Sequence, residues 1–359
     1  MATISSKIDI KDLSREQLTD WLTHRGQRPF RADQIRRWIY LRQTDRFDDM
    51  TNLGKPLRAD LEAAFANPRL QVDEEATSQD GSRKLLFRLP DGHHIETVII
   101  PEKSHYTLCI SSQVGCSQGC RFCMTARGGL VRNLSAGEII SQVRDVQQRV
   151  RAEGGLDLTN IVFMGMGEPL ANYRNVVQAL EVITDGDFGL KISSRRVTVS
   201  TAGLVPRMAD LGRDTRANLA VSLNATDDDT RTRLMPINRK YPLADLMAAC
   251  RRYPLPPRRK ITFEYILMKG VNDSMDDARR LVKLLRPIKA KVNLIPFNEH
   301  PGSDFMRPDP ARIIRFQEFL AGHHYTAIVR HSKGQDIGAA CGQLRAKLKR
   351  EAGGPGSEN

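Results

Sequence analysis

The stretch Gly115–Thr125 reads GCSQGCRFCMT and spaces Cys116, Cys120 and Cys123 as C-x3-C-x2-C. A structural zinc site closes its shell with four ligands, and a ferredoxin cluster also takes four thiolates. Three thiolates therefore leave one metal position open, and an open iron can chelate a small ligand and carry out chemistry on it. The spacing predicts a 4Fe–4S cluster with one free iron. Zinc, with a fourth ligand such as His105, is the structural alternative.

This cysteine loop follows the first of several segments that alternate between strand and helix patterns. The strand-like segments are YTLCIS, NIVFMG, RRVTVST, ANLAVSLNA, KITFEYILM, KVNLIPF and YTAIVR. The helical stretches between them include SAGEIISQVRDVQQRV, NVVQALEVIT, PLADLMAACRRY, SMDDARRLVKLLR and PARIIRFQEFLAG. Such alternation favours a parallel sheet of right-handed βαβ units. We therefore predict an α/β fold, a partial (β/α)6 barrel with the cysteine loop at the carboxyl ends of its strands, where barrels carry their chemistry.

The sequence divides into four predicted regions. Residues 1–65 indicate a basic helical module, and residues 66–104 a β-rich connector that contains a hairpin with a Pro-Asp-Gly turn. The core spans residues 105–347, and the polar tail at 348–359 is predicted to be disordered. We interpret the first region as an RNA-binding module because arginines cluster around its second helical segment, with a solvated helical face as the alternative.

The charge of the chain points to an anionic partner. Its 359 residues include 55 Lys and Arg against 42 Asp and Glu, a formal net charge of +13. This favours nucleic acid, and a basic enzyme without such a partner is the plainer alternative. No signal-peptide pattern is visible, and no run approaches the ~18 apolar residues of a membrane span. We expect a cytoplasmic protein, whose six cysteines are metal ligands, catalytic thiols or core residues.

Other polar residues and turns allow both a structural and a functional interpretation. The segment Met164–Leu170, MGMGEPL, is either a structural turn or a ligand site in which Glu168 accepts hydrogen bonds from an ammonium group. Cys109 and Cys341 are buried core thiols on the structural interpretation. Glu96, among apolar residues of the hairpin, is either a surface carboxylate or a partly desolvated group with a raised pKa.

Several sequence blocks, spread over nearly the whole chain, resemble one family. They are SSQVGC with the cysteines that follow, MGMGEPL, RRVTVSTAG, MPINRKYPL, KVNLIPFN and DIGAACGQL. The cysteine loop, with Phe122 before its third cysteine, is similar to that of the radical S-adenosylmethionine superfamily. Together the blocks more closely resemble the RlmN-type rRNA and tRNA adenine carbon-2 methyltransferases. The resemblance implies the (β/α)6 barrel, a 4Fe–4S cluster on the three cysteines, and S-adenosylmethionine as the ligand of the open iron.

The resemblance also implies roles for individual residues. The family's cofactor-binding positions correspond to Gly167, Glu168, Ser200, Ser222, Leu223, Asn224 and Asn298. The chain departs from the family at Asn224, where histidine is frequent, and asparagine can hydrogen-bond but cannot titrate. Cys341 would carry the methyl group as S-methylcysteine, Cys109 would form a transient disulfide with it, and Glu96 would be the proton acceptor.

The activity that the resemblance implies is methylation of carbon 2 of an adenine in 23S rRNA and of the adenine beside the tRNA anticodon. It would consume two S-adenosylmethionine molecules per product, one as methyl donor and one as radical source. The expected partners are 23S rRNA, tRNA and an electron donor such as flavodoxin, with no membrane and a monomeric enzyme. One alternative is a Cfr-type enzyme, which methylates carbon 8 of the same rRNA adenine. The other is a non-catalytic RNA-binding protein stabilised by a metal.

Overall fold

The computed structural model describes residues 7–300 and 302–345, so the predicted tail at 348–359 lies outside the described residues. The first described part is mostly helical and contains one parallel pair of short strands. Its elements are β1 (Ile8–Asp9), α1 (Arg15–Thr23), α2 (Arg31–Arg36), α3 (Lys55–Ala64) and β2 (Phe65–Ala66). A π-helical turn, Arg37–Leu41, continues α2, and 3-10 turns span Ile10–Asp12 and Phe47–Asp49.

A ten-stranded sheet forms the centre of the molecule. The remaining strands are β3 (Gln71–Thr77), β4 (Arg83–Arg88), β5 (His94–Pro101), β6 (Tyr106–Cys109), β7 (Gln113–Gly115), β8 (Leu130–Asn133), β9 (Leu158–Phe163), β10 (Val197–Thr201), β11 (Asn218–Ser222), β12 (Ile261–Leu267), β13 (Ala290–Pro296) and β14 (Thr326–Val329). The sheet order is β14-β13-β12-β11-β10-β9-β6-β5-β4-β3, and β7 pairs separately with β8. All neighbours from β6 to β14 in this order are parallel. The predicted strands are all present, which confirms the α/β partial barrel.

Helices connect the parallel strands. They are α4 (Met124–Arg127), α5 (Ala136–Ala152), α6 (Tyr173–Thr184), α7 (Val205–Asp214), α8 (Asp228–Leu234), α9 (Leu243–Arg252), α10 (Met275–Leu285) and α11 (Pro310–Gly322), with further 3-10 turns at Pro169–Asn172, Ser194–Arg196 and Pro236–Arg239. Because both faces of the sheet are covered, β12 is buried at six of its seven positions. In the described ranges, no helix has the length and apolar character that crossing a membrane would need.

The β-rich segment before the barrel continues the same sheet. Strand β5 pairs antiparallel with β6, with Val98 opposite Cys109, and β4 and β3 extend the sheet beyond β5. Tight pairing of β4 with β5 confirms the predicted hairpin. The strand that carries Glu96 therefore lies beside the strand that carries Cys109.

The N-terminal helices share one apolar core with the barrel. Arg144 on α5 is fully buried, and its guanidinium donates to the carbonyl of Ile39 at 3.1 Å and to the carboxylate of Asp45 at 2.6 Å. At the start of α5, the N–H of Gly137 donates to the Asp12 carboxylate at 2.6 Å. A Cβ on Gly137 would lie 2.8 Å from that oxygen, so only glycine allows this approach. Buried polar contacts thus fix the N-terminal region to α5.

Candidate active site

The carboxyl ends of the parallel strands surround one open cavity. The loops after β6, β9, β10 and β11 form part of its wall, and β12, β13 and the C-terminal segment complete it. The predicted site residues that line it are Cys116, Cys120, Cys123, Gly167, Glu168, Ser200, Ser222, Asn224 and Cys341. The cavity thus brings together the three loop cysteines, most of the predicted cofactor residues and the predicted methyl carrier.

The cysteine loop begins at a tight approach between two backbone segments. Gly115 has a φ of 77°, and an added Cβ would lie 2.0 Å from the carbonyl oxygen of Gly129, so glycine is required. The N–H of Cys116 donates to that same carbonyl at 2.8 Å. Burial raises the pKa of Cys116 to about 12. Its thiol is therefore protonated at neutral pH, and binding of a metal ion there would require the loss of that proton.

The donor set of the cysteine loop fits a 4Fe–4S cluster. Within residues 7–300 and 302–345, no three His, Cys, Asp or Glu side chains are close enough together to hold one ion. The three loop cysteines nevertheless line one cavity, as the separate corners of a 4Fe–4S cluster require. His105 precedes β6, at the opposite end of that strand from the loop, and its Nε2 lies 2.9 Å from the side-chain amide of Asn160. The zinc alternative is therefore not supported.

The Gly-Glu-Pro turn after β9 brings a buried carboxylate to the cavity wall. Gly167 has a φ of 100°, and a Cβ there would lie 2.5 Å from the side chain of Gln113. Glu168 accepts hydrogen bonds from the N–H of Leu170 at 3.0 Å and from the N–H of Ala202 at 2.7 Å. Burial raises the pKa of Glu168, and these two hydrogen bonds lower it. Because a carboxylate has about four acceptor positions, Glu168 can still accept from an ammonium group.

Asn224 has a structural role that explains its residue type. Its φ is 57°, in the left-handed region that asparagine tolerates better than most residues. Its Oδ1 accepts from the N–H of Ile266 at 2.8 Å, and its Nδ2 donates to the Met235 sulfur at 3.3 Å. The side chain therefore fixes the loop after β11 to β12, and Asn224 contributes to the cavity wall from that position.

Two predicted cofactor residues do not line the cavity. Leu223 is fully buried in the core, and its N–H donates to the carbonyl of Glu264 at 3.0 Å. Asn298 donates through Nδ2 to the carbonyl of Cys341 at 3.1 Å and accepts from Gln335 at 2.8 Å. In this structure Asn298 therefore holds the segment that carries Cys341.

Cys341 lies where two cavities meet. The first is the cavity described above, and the second is lined by Cys109 and by the residues that follow β14. Both cysteines are free thiols, and Cys109 is buried while Cys341 is exposed. Burial raises the pKa of Cys109, and the neighbouring Cys341 raises it further. The predicted pair is therefore brought together.

Glu96 contacts the C-terminal segment and lines neither cavity. It is buried, with Oε1 3.1 Å from the Lys84 ammonium, and its Oε2 accepts from the N–H of Arg345 at 2.6 Å. Burial raises the pKa of Glu96, and Lys84 opposes that effect. The structure thus places the Glu96 carboxyl group against the backbone of Arg345, which follows Cys341 in the C-terminal segment.

Two residues that the sequence analysis missed belong to the same site. Glu264 on β12 lines the first cavity and is 5 % exposed. Its Oε1 accepts from Asn293 at 2.9 Å, and its Oε2 has no hydrogen-bond partner among the described residues. Arg231 is fully buried and donates to the carbonyls of Ala202 at 2.8 Å and Leu223 at 3.1 Å, which ties two cavity loops together. In the sequence, the feature that could have identified Glu264 as a site residue is a carboxylate within an otherwise apolar barrel strand.

Models of two protein families match the chain. One, described as the ribosomal RNA large subunit methyltransferase N-terminal domain, matches residues 8–66. The other, the radical SAM superfamily, matches residues 110–282. The two matches together include the N-terminal helices, the cysteine loop and the barrel strands from β9 through β12.

Curated relatives are similar over almost the full length. A protein of Desulfosudis oleivorans named dual-specificity RNA methyltransferase RlmN is 58% identical over 342 residues, which cover 95% of this chain and 92% of the relative. A protein of the same name from Geobacter sulfurreducens is 54% identical over 345 residues, covering 96% and 94%. The crystal structure of a radical SAM methyltransferase from Sphaerobacter thermophilus matches with a TM-score of 0.88 at 45% identity, covering 95% of this chain and all (100%) of that one.

Proposed function

Because the chain belongs to the RlmN family of radical SAM RNA methyltransferases, we propose that it methylates carbon 2 of an adenine in 23S rRNA and of the adenine beside the tRNA anticodon. The observation that carries this proposal is the position of Cys341, which shares one cavity with the three loop cysteines and another with Cys109. That placement lets one sulfur exchange carbon with a cofactor on one side and with a base on the other.

Cys116, Cys120 and Cys123 are the proposed ligands of a 4Fe–4S cluster, which would leave one iron open for S-adenosylmethionine. When bound, such a cluster would supply one-electron reduction of S-adenosylmethionine as the source of a carbon radical. Glu168 accepts from the methionyl amine, because it is a fixed, buried carboxylate with acceptor capacity left. The hydroxyl groups of Ser200 and Ser222 and the loop at Asn224 provide the remaining polar wall, and Leu223 and Asn298 support it from outside the cavity.

Cys341 carries the one-carbon unit in this proposal. Carbon 2 of adenine lies between two ring nitrogens and is too electron-poor to attack a sulfonium methyl group. The Cys341 sulfur attacks that methyl group instead, so a bond from sulfur to carbon forms and the thiol proton is released. Removal of one hydrogen atom from the bound methyl group then gives a carbon radical that adds to carbon 2.

Cys109 separates the product from the enzyme. Its thiolate attacks the Cys341 sulfur, so the S–S bond forms as the bond from sulfur to the methylene carbon breaks. The adenine keeps the carbon, which takes up a proton to become the methyl group. The unpaired electron of the adduct would pass back to the oxidised cluster, and an external reductant must return two electrons to the disulfide before the next turnover. The burial of Cys109 in a cavity that Cys341 also lines supports this assignment.

Glu96 is the proposed acceptor of the proton that leaves carbon 2. Its raised pKa suits a general base, and Lys84 and the N–H of Arg345 each bind one of its oxygens, which leaves acceptor positions free on the carboxylate. The same proposal includes the basic helices of residues 1–65 as an RNA contact, a flavodoxin-like electron donor, and a monomer in the cytoplasm.

The test is nucleoside mass spectrometry after reaction of the cluster-loaded protein with S-adenosylmethionine, a reductant and either rRNA or tRNA. We expect 2-methyladenosine from both RNAs. Formation of 8-methyladenosine alone would replace the proposal with the Cfr-type activity, which the RlmN relatives do not favour. Absence of any methylated adenine from active, cluster-loaded protein would contradict both.

A further inference from the structure

The second cavity, beyond Cys341, has the size and the lining of a pocket for a planar base. Its volume is about 210 Å3, and a cavity of about 150 Å3 already accepts a benzene ring. Its apolar walls come from Ile100, Val162, Met164, Ile295 and Leu344. Its other lining residues include the thiols of Cys109 and Cys341, the cations Arg330 and Lys333, the imidazole of His331 and the carboxylate of Glu102. The cavity therefore joins apolar walls and two thiols to charged residues, of which two are cationic and one is anionic.

Arg330 is the unusual member of this group. Its backbone N–H donates to the carbonyl of Leu294 at 2.8 Å, which fixes its place directly after β14. In the described parts of the chain its half-buried guanidinium has no hydrogen bond and no ion pair, whereas the guanidinium of Arg144 is fully satisfied. Burial raises the pKa of Cys109, Cys341 and Glu264, and the charge of Arg330 opposes that rise in each case. Arg330 therefore lies near all three groups. Five N–H donors at the edge of a cavity are thus available to a ligand.

A nucleotide fits both the apolar walls and the Arg330 guanidinium, whereas a small neutral ligand has no charge for the guanidinium to bind. A guanidinium matches the oxygens of a phosphate in a two-pronged geometry, and charge-assisted hydrogen bonds of this kind are strong. Enzymes that act on a base extrude it from its stack into a pocket with apolar or aromatic walls. S-adenosylmethionine would occupy the first cavity, so a base can approach the carbon on Cys341 only from another side. The second cavity is also the side from which Cys109 must later reach Cys341.

We propose that the second cavity receives the extruded adenine and that Arg330 binds the phosphate of that nucleotide, with His331 and Lys333 at the entrance. Lys333 is held there by a hydrogen bond from its ammonium group to the carbonyl of Pro101 at 2.5 Å. This assignment rests on the proposed function, since it names the place where the substrate of that reaction is bound. It makes Arg330 a substrate-binding residue.

The test compares Arg330→Gln with Arg330→Lys and with a control, Arg315→Gln, in steady-state methylation of tRNA by cluster-loaded protein. Arg315 is an exposed arginine on α11 without a partner among the described residues. We expect Arg330→Gln to raise the KM for tRNA by about 10-fold or more, as loss of one charge-assisted phosphate contact implies. The KM for S-adenosylmethionine should be unchanged, Arg330→Lys should recover part of the loss, and Arg315→Gln should match the wild type.

A second variant tests the pocket itself. Ile100→Trp narrows the cavity without removing charge, so it should suppress methylation while S-adenosylmethionine is still cleaved in the absence of RNA. An unchanged KM for tRNA in Arg330→Gln, or an equal rise in the KM for both substrates, would overturn the assignment. If the wild-type protein methylates no adenine, the proposed function fails. If the wild type is active and both Arg330→Gln and Ile100→Trp behave like the wild type, only the assignment of this pocket fails.

Discussion

At the scale of single residues, Cys341 and Cys109 have unequal tasks, and their variants should differ in kind. Cys341→Ala removes the carbon carrier, so we expect no methylated protein and no covalent link to RNA. Cys109→Ala should allow the radical to add to the base and then stall, with Cys341 joined to adenine by a methylene bridge. Because this bridge is a thioether, it should survive denaturation and thiol reductants. A denaturing gel with mass spectrometry of the bound RNA measures it.

The same experiment separates proton removal from carbon transfer. Removing Glu96 in addition to Cys109 should leave the bridge intact, because the proton leaves only after the carbon is attached. Two inactive cysteine variants without any RNA adduct would contradict this division of tasks. Two active variants would show that both cysteines are only core residues.

Glu264 gives a pH-dependent contribution to stability whose sign follows from its burial. Burial raises its pKa above the ordinary value of 4.5, so the folded protein binds this proton more tightly than the unfolded chain does. Below pH 4.5 both states are protonated, and as the pH rises the unfolded chain ionises first. The wild type should therefore lose stability relative to Glu264→Gln as the pH rises from about 4 to 8, by ~1.4 kcal/mol for each pKa unit between the two states.

Urea unfolding of the full-length protein at several pH values measures this difference. Glu318→Gln, at an exposed position on α11, is the control and should show no such trend. A constant difference between the wild type and Glu264→Gln across this range would mean that burial does not change the pKa of Glu264 between the unfolded and folded states.

At the scale of elements, the segment that carries Cys341 depends for its position on the turn between β3 and β4. Residues 330–345 contain no helix or strand. Asp336 accepts from the Ser78 hydroxyl at 2.6 Å and from the N–H of Gln79 at 3.2 Å, and the N–H of Gly334 donates to Asp80 at 2.7 Å. The turn between β3 and β4 therefore holds the segment from outside the barrel.

Asp336→Ala should loosen this segment without unfolding the barrel. We expect several-fold faster amide hydrogen exchange in residues 333–345 and slower RNA methylation, with an unchanged melting temperature, because the lost hydrogen bonds are local. The control is Asp73→Ala, which removes a carboxylate that binds Arg88 and His94 within the hairpin and does not touch the segment. Equal exchange rates in the two variants would show that the turn between β3 and β4 does not position Cys341.

Local sequence patterns predicted the parallel strands and the cysteine loop because apolar runs bounded by helices identify buried parallel strands. They did not show that β5 pairs with β6, since that pairing depends on contacts distant in sequence. Arg36, one of the arginines on the second helical segment that the sequence analysis assigned to RNA contact or to a solvated face, is 2 % exposed and lies 3.2 Å from Asp185 of the barrel. The sequence did not identify Glu264 and Arg330 as site residues for the same reason. Each is a single polar residue, and only the folded structure shows that it lines a cavity.

At the scale of the whole molecule, the N-terminal helices cannot be treated as a removable module. Arg144 on α5 is buried against Asp45 and the carbonyl of Ile39, so removal of residues 1–65 would leave a buried charge without its partners. Such a loss costs about 3–5 kcal/mol. A deletion would therefore mix a loss of stability with any loss of RNA contacts, and exposed point variants are the better test.

Three exposed arginines of this region suit that test because none has a carboxylate partner in the described parts of the chain. Each lies over an aromatic ring: Arg25 over Trp21 and Arg42 over Trp38, both at 4.0 Å, and Arg37 over Phe188 at 4.9 Å. Stacking leaves the edges of a guanidinium free for phosphate oxygens. The triple change to Gln should weaken RNA binding and reduce the slope of log K against log salt by about 2–3, because each lost phosphate contact contributes ~0.7–0.9.

The matched control removes the same number of positive charges from helices on the outside of the barrel. Arg207, Arg213 and Arg279 are exposed, and each already pairs with an aspartate on its own helix. Their triple change to Gln should shift the salt dependence far less, although the net charge falls equally from +13. Equal slopes for the two triple variants would mean that only the overall charge attracts RNA. A smaller slope for the N-terminal variant alone would locate the phosphate contacts on residues 1–65.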